Sequence, residues 1–176
     1  MPETGDSTDC KALQGVRTYL RPVKEDDLPS LLGLVVALHA HHGYPAGATL
    51  DTLARDVMGD PPCMGDPPWL KTLVAEREGR LVGYAALCPA ARMHFGLRGM
   101  YLHHLYVDPG LRGAGLGRRL IEACVEVAKD LGCAFMVVGT EPGNHKAQAV
   151  YVACGFEALP GDGSWFRRWL SRPAGA

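Results

Sequence analysis

The stretch LYVDPGLRGAGLGRRL, residues 105–120, decides the fold. Its first three residues end an apolar, strand-like run that begins at Met100, and three glycines, Gly113, Gly115 and Gly117, lead into the clearest helical pattern of the chain. A strand, a glycine-rich turn and a helix in this order direct backbone N–H groups and the positive end of the helix toward one place. Because glycine has no side chain, a phosphate can reach the backbone there. The stretch therefore predicts a pyrophosphate-binding site.

Two common phosphate-binding loops do not fit this stretch. A P-loop needs a lysine followed by serine or threonine after its last glycine, and here Arg118 and Arg119 follow Gly117. A Rossmann loop needs the spacing G-x-G-x-x-G early in the fold, whereas this loop reads G-x-G-x-G after several earlier elements. A glycine-rich helix cap without a ligand stays open as the alternative, since glycine is common at helix ends.

Working outward from the loop, apolar periodicity and turn residues predict strands and helices that interleave along the chain. The expected strands are 16–21, 70–76, 81–88, 100–107, 134–138 and 162–170, and the expected helices are 28–38, 49–57, 115–131 and 146–154. Thr49 is a plausible N-cap, and Gly79 is expected to turn a hairpin. Residues 1–15 read as a loose tail, 59–68 as an irregular segment, and 16–172 as one mixed α/β domain.

Composition limits the classes of partner. The chain has 176 residues, 47% of them apolar, and a net charge of −1, so no strong field attracts it to nucleic acid or to anionic lipid. No apolar run approaches the ~20 residues of a membrane helix, and the polar, acidic first residues are unlike a secretory signal. We therefore expect a cytoplasmic protein with no membrane and no nucleic-acid partner. The six cysteines form no C-x-x-C pair, so a disulfide framework is not expected.

The glycine-rich loop resembles the coenzyme A signature of a known family. Arg112-x-x-Gly115-x-Gly117, behind a strand reading Leu105-x-Val107, is similar to that signature in the GNAT superfamily of N-acetyltransferases. The resemblance implies the GNAT fold, a central, mixed but mostly antiparallel sheet of about six to seven strands flanked by about four helices. It also implies acetyl-coenzyme A as co-substrate.

A second group of residues extends the resemblance to about residues 16–170. Asn144, Ala147, Tyr151 and the pair 155–156 fit the family's second motif, and the opening 20–22 (LRP) before an acidic helix start is also typical. The resemblance implies that twelve residues contact coenzyme A. They are Leu105, Tyr106, Val107, Arg112, Gly113, Ala114, Gly115, Leu116, Gly117, Arg118, Asn144 and Lys146.

Within the superfamily the chain looks most similar to the spermidine/spermine and small-amine acetyltransferases. The similarity lies in residues 101–107 and in Ser164-Trp165-Phe166. That group usually carries a carboxylate where this chain has His103, so the resemblance implies a small amine as acceptor without specifying a polyamine.

The implied reaction is direct attack of the amine on the thioester through a tetrahedral intermediate. Tyr151 occupies the family's tyrosine position, and a phenol with a pKa near 10 can protonate the leaving sulfur. For the base we predict His103, because strand parity places it on the same face as Leu105 and Val107 and an imidazole titrates near neutral pH. His104 is then expected to point to the opposite face and to fill the core. A purely packing role for His103, and an ordinary core role for Tyr151, stay open.

Three further residues are candidates for contact with the acceptor: His42 and Tyr44, in the loop after the first helix, and Tyr101. The run His39-x-His41-His42 lacks the additional ligands that a zinc site needs, so no metal is expected. Many relatives form dimers, so the resemblance implies a homodimer. Two alternatives to a small-amine enzyme remain, a protein or peptide N-acetyltransferase and a non-catalytic acyl-CoA-binding regulatory module.

Overall fold

The computed structural model describes residues 17–59 and 68–171. Within these ranges the chain forms seven strands and four α-helices. In chain order they are β1 (Thr18–Pro22), α1 (Leu28–His41), α2 (Leu50–Met58), β2 (Lys71–Arg77), β3 (Arg80–Arg92), β4 (Leu97–Val107), α3 (Leu116–Asp130), β5 (Phe135–Gly139), α4 (His145–Ala153), β6 (Glu157–Ala158) and β7 (Trp165–Trp169).

The strands form one sheet in the order β1-β2-β3-β4-β5-β7-β6. Every neighbouring pair is antiparallel except β4 and β5, which are parallel. A parallel pair needs a crossover, and α3 supplies it by returning the chain from the end of β4 to the start of β5. The predicted mixed α/β class, with a mostly antiparallel sheet of six to seven strands and about four helices, is confirmed.

Helices cover both faces of the sheet and bury two clusters of apolar side chains. Leu120 and Cys124 of α3 pack on one face against residues such as Met136. On the other face, Leu31 and Val35 come from the buried stripe of α1, whose spacing of three to four residues is typical of an amphipathic helix. The second cluster consists of Leu28, Leu31, Val35, Leu38, Leu53, Val57, Val74, Tyr84, Ala86 and Tyr106.

The structure contains the hairpin turn and the helix cap that the sequence predicts. The β2–β3 hairpin turns on Glu78 and Gly79, whose φ angles of 52° and 72° are those of a two-residue turn with both residues left-handed. Thr49 caps α2, since its Oγ1 accepts a hydrogen bond from the backbone N–H of Thr52 at 3.2 Å. Both predictions are confirmed.

Several predicted boundaries were too short, and one strand was missed. The strands predicted at 81–88 and 100–107 are longer in the structure. β3 extends to Arg92 and β4 begins at Leu97, because backbone pairing between the two strands continues to the pair Arg92–Leu97. The two-residue strand β6 was not predicted, since two exposed residues give no alternating pattern. The predicted tail, 1–15, and residues 60–67 of the predicted irregular segment lie outside the described residues. Across the described ranges no helix is long and apolar enough to cross a membrane.

Candidate active site

The glycine-rich loop ends at Gly115, and the backbone N–H groups that follow it are suited to binding an anion. Gly115 is the N-cap of α3 with φ 81° and ψ 2°, a left-handed conformation that favours glycine. Among residues 17–59 and 68–171 no side chain caps the helix, and the first intrahelical bond runs from the N–H of Arg119 to the carbonyl of Gly115. The preceding N–H groups of the first turn have no intrahelical acceptor, so they can donate to a phosphate.

Two arginines beside this loop, Arg112 and Arg119, donate hydrogen bonds to backbone carbonyls. Arg112, which is predicted to contact coenzyme A, donates its Nε–H to the carbonyl of Val107 at 2.9 Å, and its guanidinium lies 5.7 Å from the ring centre of Tyr106. Arg119 donates to the carbonyl of Thr18 at 2.7 Å. The side chain of Arg112 therefore fastens the end of β4 to the loop, a role that the motif alone did not indicate. Arg118 and Lys146 are exposed.

A slot opens between β4 and β5. The two strands pair only over Gly99–Leu102 and Phe135–Val138, yet β4 continues to Val107 along β3. From His103 onward the β5-facing edge of β4 therefore has no partner strand in the part of the chain that the structure describes. Unpaired backbone groups at such an edge readily accept an extended ligand. β4 continues through the glycine-rich loop to the N-terminus of α3, so an extended ligand bound along this edge would place its end beside the first-turn N–H groups.

The second motif forms α4 and the core beneath it. Asn144 is the N-cap of α4, and its Oδ1 accepts a hydrogen bond from the N–H of Ala147 at 3.1 Å. Its amide nitrogen remains a donor for a ligand. Tyr151 is 6% exposed, with its ring centre 5.8 Å from that of Phe166. Burial, followed by the neighbouring Tyr101 and Cys154, raises the pKa of Tyr151 to about 12, so this phenol keeps its proton at neutral pH.

A β-bulge in β4 makes the parity prediction for His103 wrong. On β3, Ala86 pairs with His104 and Leu87 pairs with Leu102, so His103 is an extra residue without a counterpart. The rings of His103 and His104 stack at 4.2 Å with 15° between their planes. The two imidazoles therefore lie side by side, and not on opposite faces of the sheet.

His104 does not fill the core as expected. Its ring is half-buried, and its Nδ1 lies 3.0 Å from the hydroxyl of Tyr84, which is itself buried. Burial, and then the charges of His103, His39 and His42, lower the pKa of His104 to about 4. Burial, and then His39, also lower the pKa of His103. His104 is therefore a neutral imidazole at neutral pH.

A cavity of about 340 Å³ lies where β4 and β5 separate, beside the C-terminal end of α1. It brings together His42, Tyr44 and Tyr101, the three residues expected to contact the acceptor. His104 lies in its wall, whereas the lining formed by the described residues does not include His103. The lining residues are Leu38, His39, His42, Tyr44, Tyr101, His104, Gly139, Thr140, Glu141, Ser164 and Trp165.

Sequence reasoning missed His39 and Glu141 in this cavity. His39 carried a detectable signal, because it lies four residues after the buried Val35 and next to the buried Leu38 on the same helix. Glu141 follows β5 in a turn and gave no such signal. In the parts of the chain that the structure describes, no group of three or more His, Cys, Asp or Glu side chains is arranged to hold a metal ion.

Comparison with known proteins identifies the family suggested by the glycine-rich loop. The model of the acetyltransferase (GNAT) family matches residues 38–156. The L-amino acid N-acyltransferase MnaT of Escherichia coli is 36% identical over 101 residues, which are 56% of this chain and 58% of that protein. The thialysine N-epsilon-acetyltransferase of Bos taurus is 28% identical over 154 residues, 83% of this chain and 88% of that protein.

A solved structure extends the likeness to the whole fold. YncA from Salmonella typhimurium, solved with its cofactor acetyl-CoA, superposes with a TM-score of 0.71 at 21% identity, over 89% of this chain and 96% of that one. The chain spans less than three fifths of the length of MnaT, whereas the family model covers most of the chain. The expected fold is confirmed, and this chain belongs to the acetyltransferase (GNAT) family.

Proposed function

We propose that the protein transfers the acetyl group of acetyl-coenzyme A to the primary amine of a small molecule. The observation that carries the proposal is the position of Tyr101. Its ring lines the acceptor cavity, and its strand borders the slot suited to the pantetheine arm. Tyr101 is also close enough to Tyr151 to affect the pKa of that phenol. An amine in the cavity and a thioester in the slot would therefore meet beside Tyr151.

The residues present suit coenzyme A. The N–H groups at the start of α3 would hold the pyrophosphate, and the amide nitrogen of Asn144 would donate to the pantetheine arm. Backbone groups of Leu105–Val107 along the slot would bind the thioester end and donate to its developing oxyanion. When bound, acetyl-coenzyme A supplies an electrophilic acyl carbon and a thiolate leaving group.

The chain's own groups then move protons. A base in the cavity must take a proton from the acceptor ammonium, so that the nitrogen lone pair can form the new C–N bond. As the C–S bond breaks with its electron pair going to sulfur, the neutral phenol of Tyr151 donates its proton there. Tyrosinate then recovers a proton from the acylated nitrogen. From the sequence, His103 is the predicted base.

A small acceptor is supported by the cavity and by the relatives. A volume of about 340 Å³ is at the lower end of ordinary ligand pockets and suits a molecule of amino-acid size. MnaT is named for L-amino acids and the Bos taurus relative for thialysine. We extend the proposal to amino acids and compact amines of that size. The likeness to spermidine/spermine acetyltransferases, a homodimer and a cytoplasmic location remain predictions.

The test is a thiol-release assay with acetyl-coenzyme A against amino acids, polyamines, aminoglycosides and short peptides. Turnover on amino acids or compact amines, with the acetylated amine identified by mass spectrometry, is the expected result. Turnover on peptides alone would replace the proposal with a protein acetyltransferase. Tight coenzyme A binding, measured by calorimetry, with no stimulation by any amine would favour a non-catalytic regulatory module.

A further inference from the structure

We propose that His39, in place of His103, takes the proton from the acceptor ammonium, an inference that rests on the acetyl transfer proposed above. In this step an N–H bond of the ammonium breaks and an N–H bond forms at Nε2 of His39. The electron pair stays on the amine nitrogen, which is then free to attack. Only an imidazole nitrogen that carries a lone pair can accept this proton, so the tautomer of each imidazole in the cavity decides which ring can act.

The hydrogen bond of His39 fixes its tautomer. Nδ1 lies 3.0 Å from the carbonyl oxygen of Val35, one turn earlier in α1. A carbonyl oxygen can only accept, so Nδ1 must carry the hydrogen and donate it. In the neutral ring the lone pair then belongs to Nε2. Since His39 lines the cavity, the structure holds in the cavity wall an imidazole whose second nitrogen can accept a proton.

The same hydrogen bond survives protonation. An imidazolium has two N–H groups, so Nδ1 continues to donate to Val35 after Nε2 has taken its proton. His39 also lies in the last turn of α1, where the negative end of the helix stabilises a cation. The carboxylate of Glu141 belongs to the same cavity. Accepting a proton at Nε2 therefore leaves the contact between His39 and Val35 intact.

His104 is held in the opposite tautomer. Burial raises the pKa of Tyr84, so its phenol keeps its hydrogen. Leaving the buried O–H of Tyr84 without an acceptor would destabilise the fold, so the phenol donates its hydrogen to Nδ1 of His104. Nε2 of His104 then carries the hydrogen and cannot accept another. The low pKa of His104 keeps that ring neutral at neutral pH.

The other histidines are less suited to this role. The cavity lining includes His39 and His104 but not His103, whose pKa is lowered first by burial and then by His39. His42 lines the cavity, but its described ring contact is with His41 at 5.6 Å, which fixes neither nitrogen. His39 contacts the ring of His104 edge-on at 5.7 Å, and its charge acts on His103. The other titratable groups of the cavity lining are His42, Tyr44, Tyr101 and Glu141, and Tyr84 contacts His104 from β3.

The activity test measures kcat and KM from pH 5 to 9 for wild type, His39→Ala and His39→Gln. We expect kcat to fall about 10²- to 10⁴-fold in both variants, as for the loss of a general base. The KM for acetyl-coenzyme A should stay within about twofold, the ionisation seen in the wild-type profile should disappear, and added imidazole should restore part of the His39→Ala rate. His41→Ala, which changes a histidine in the same helical turn, should retain wild-type kinetics.

A second readout does not require activity. Long-range ¹H–¹⁵N correlation spectra of the labelled protein near neutral pH should show His39 with the hydrogen on Nδ1 and His104 with the hydrogen on Nε2. A hydrogen on Nε2 of neutral His39 would overturn the inference. So would full activity and an unchanged pH profile in His39→Ala, above all if His103→Ala loses both. Wild-type protein that acetylates no amine would instead overturn the proposed function, and the role of His39 with it.

Discussion

At the scale of single residues, burial determines which protons are available. Tyr151 keeps its hydroxyl proton at neutral pH because burial raises its pKa to about 12. Tyr151→Phe removes this oxygen while keeping the ring that packs near Phe156 and Phe166. We expect kcat to fall about 10²-fold or more if Tyr151 is the acid, with coenzyme A affinity and melting temperature nearly unchanged. The exposed Tyr19 offers the control Tyr19→Phe; equal kcat in the two variants would contradict the assignment.

The position of a site residue could be predicted where it belongs to a short sequence motif, and could not be predicted where it depends on how two strands pair. The roles predicted for Tyr151 and Asn144 came from the resemblance to a short family motif, and both residues lie in or at the start of α4. The orientation of His103 could not be predicted. It depends on the β-bulge, which arises from the register between β4 and β3 and has no signature in the sequence of β4 alone. His39 is an intermediate case, because its contact with the carbonyl of Val35 lies within α1, whereas its place in the cavity depends on how α1 packs on the sheet.

At the scale of elements, the turn from β4 into α3 depends on the conformation of Gly115. Its φ of 81° strains any L-residue, and a Cβ added there meets no atom within 4 Å, so the cost of a substitution is purely conformational. We expect Gly115→Ala to lower the free energy of unfolding by about 1–2 kcal/mol. Coenzyme A affinity should fall as well, because the first-turn N–H groups would be reoriented.

The matched control is Gly33→Ala in α1. A Cβ at Gly33 also meets nothing within 4 Å, but this glycine lies inside a helix, where alanine is preferred. We expect Gly33→Ala to raise the free energy of unfolding by roughly 0.5–1 kcal/mol and to leave coenzyme A affinity unchanged. Urea unfolding and calorimetry measure both quantities. A stabilising Gly115→Ala would show that the loop adopts another conformation in solution.

The predictable part of the elements was their order and kind. Apolar periodicity placed the helices within a few residues, and Gly79 and Thr49 marked a turn and a cap by local chemistry alone. The separation of β4 from β5 after Leu102 was not predictable, because nothing in either strand's pattern states where its partner ends. The slot, and hence the location of the cavity, needed the three-dimensional pairing.

At the scale of the whole molecule, an ion-pair network ties the sheet to the helix that carries His39. Arg21 of β1 donates to Glu76 of β2 at 2.8 Å and to Asp27, which precedes α1, at 2.9 Å. The carboxylate of Asp27 also accepts the backbone N–H of Lys24 at 2.8 Å. Arg21, against the opposing effect of burial, lowers the pKa of Asp27 below its ordinary value. The ionised form of Asp27 therefore stabilises the junction of β1, β2 and α1.

This network predicts a pH dependence of stability whose sign follows from the lowered pKa. Asp27 stabilises the fold fully above the unfolded-state pKa of about 3.9, and this contribution is lost as the pH falls through the lower, folded-state pKa. We expect Asp27→Asn to lower the free energy of unfolding at pH 7, and its difference from wild type to shrink steadily below about pH 4. Urea unfolding at pH 7, 5, 4 and 3 measures this, with the exposed Asp26→Asn as control. A difference that stays constant down to pH 3 would contradict the assignment, because a contribution from the ionised carboxylate must shrink as Asp27 becomes protonated, whereas asparagine does not titrate.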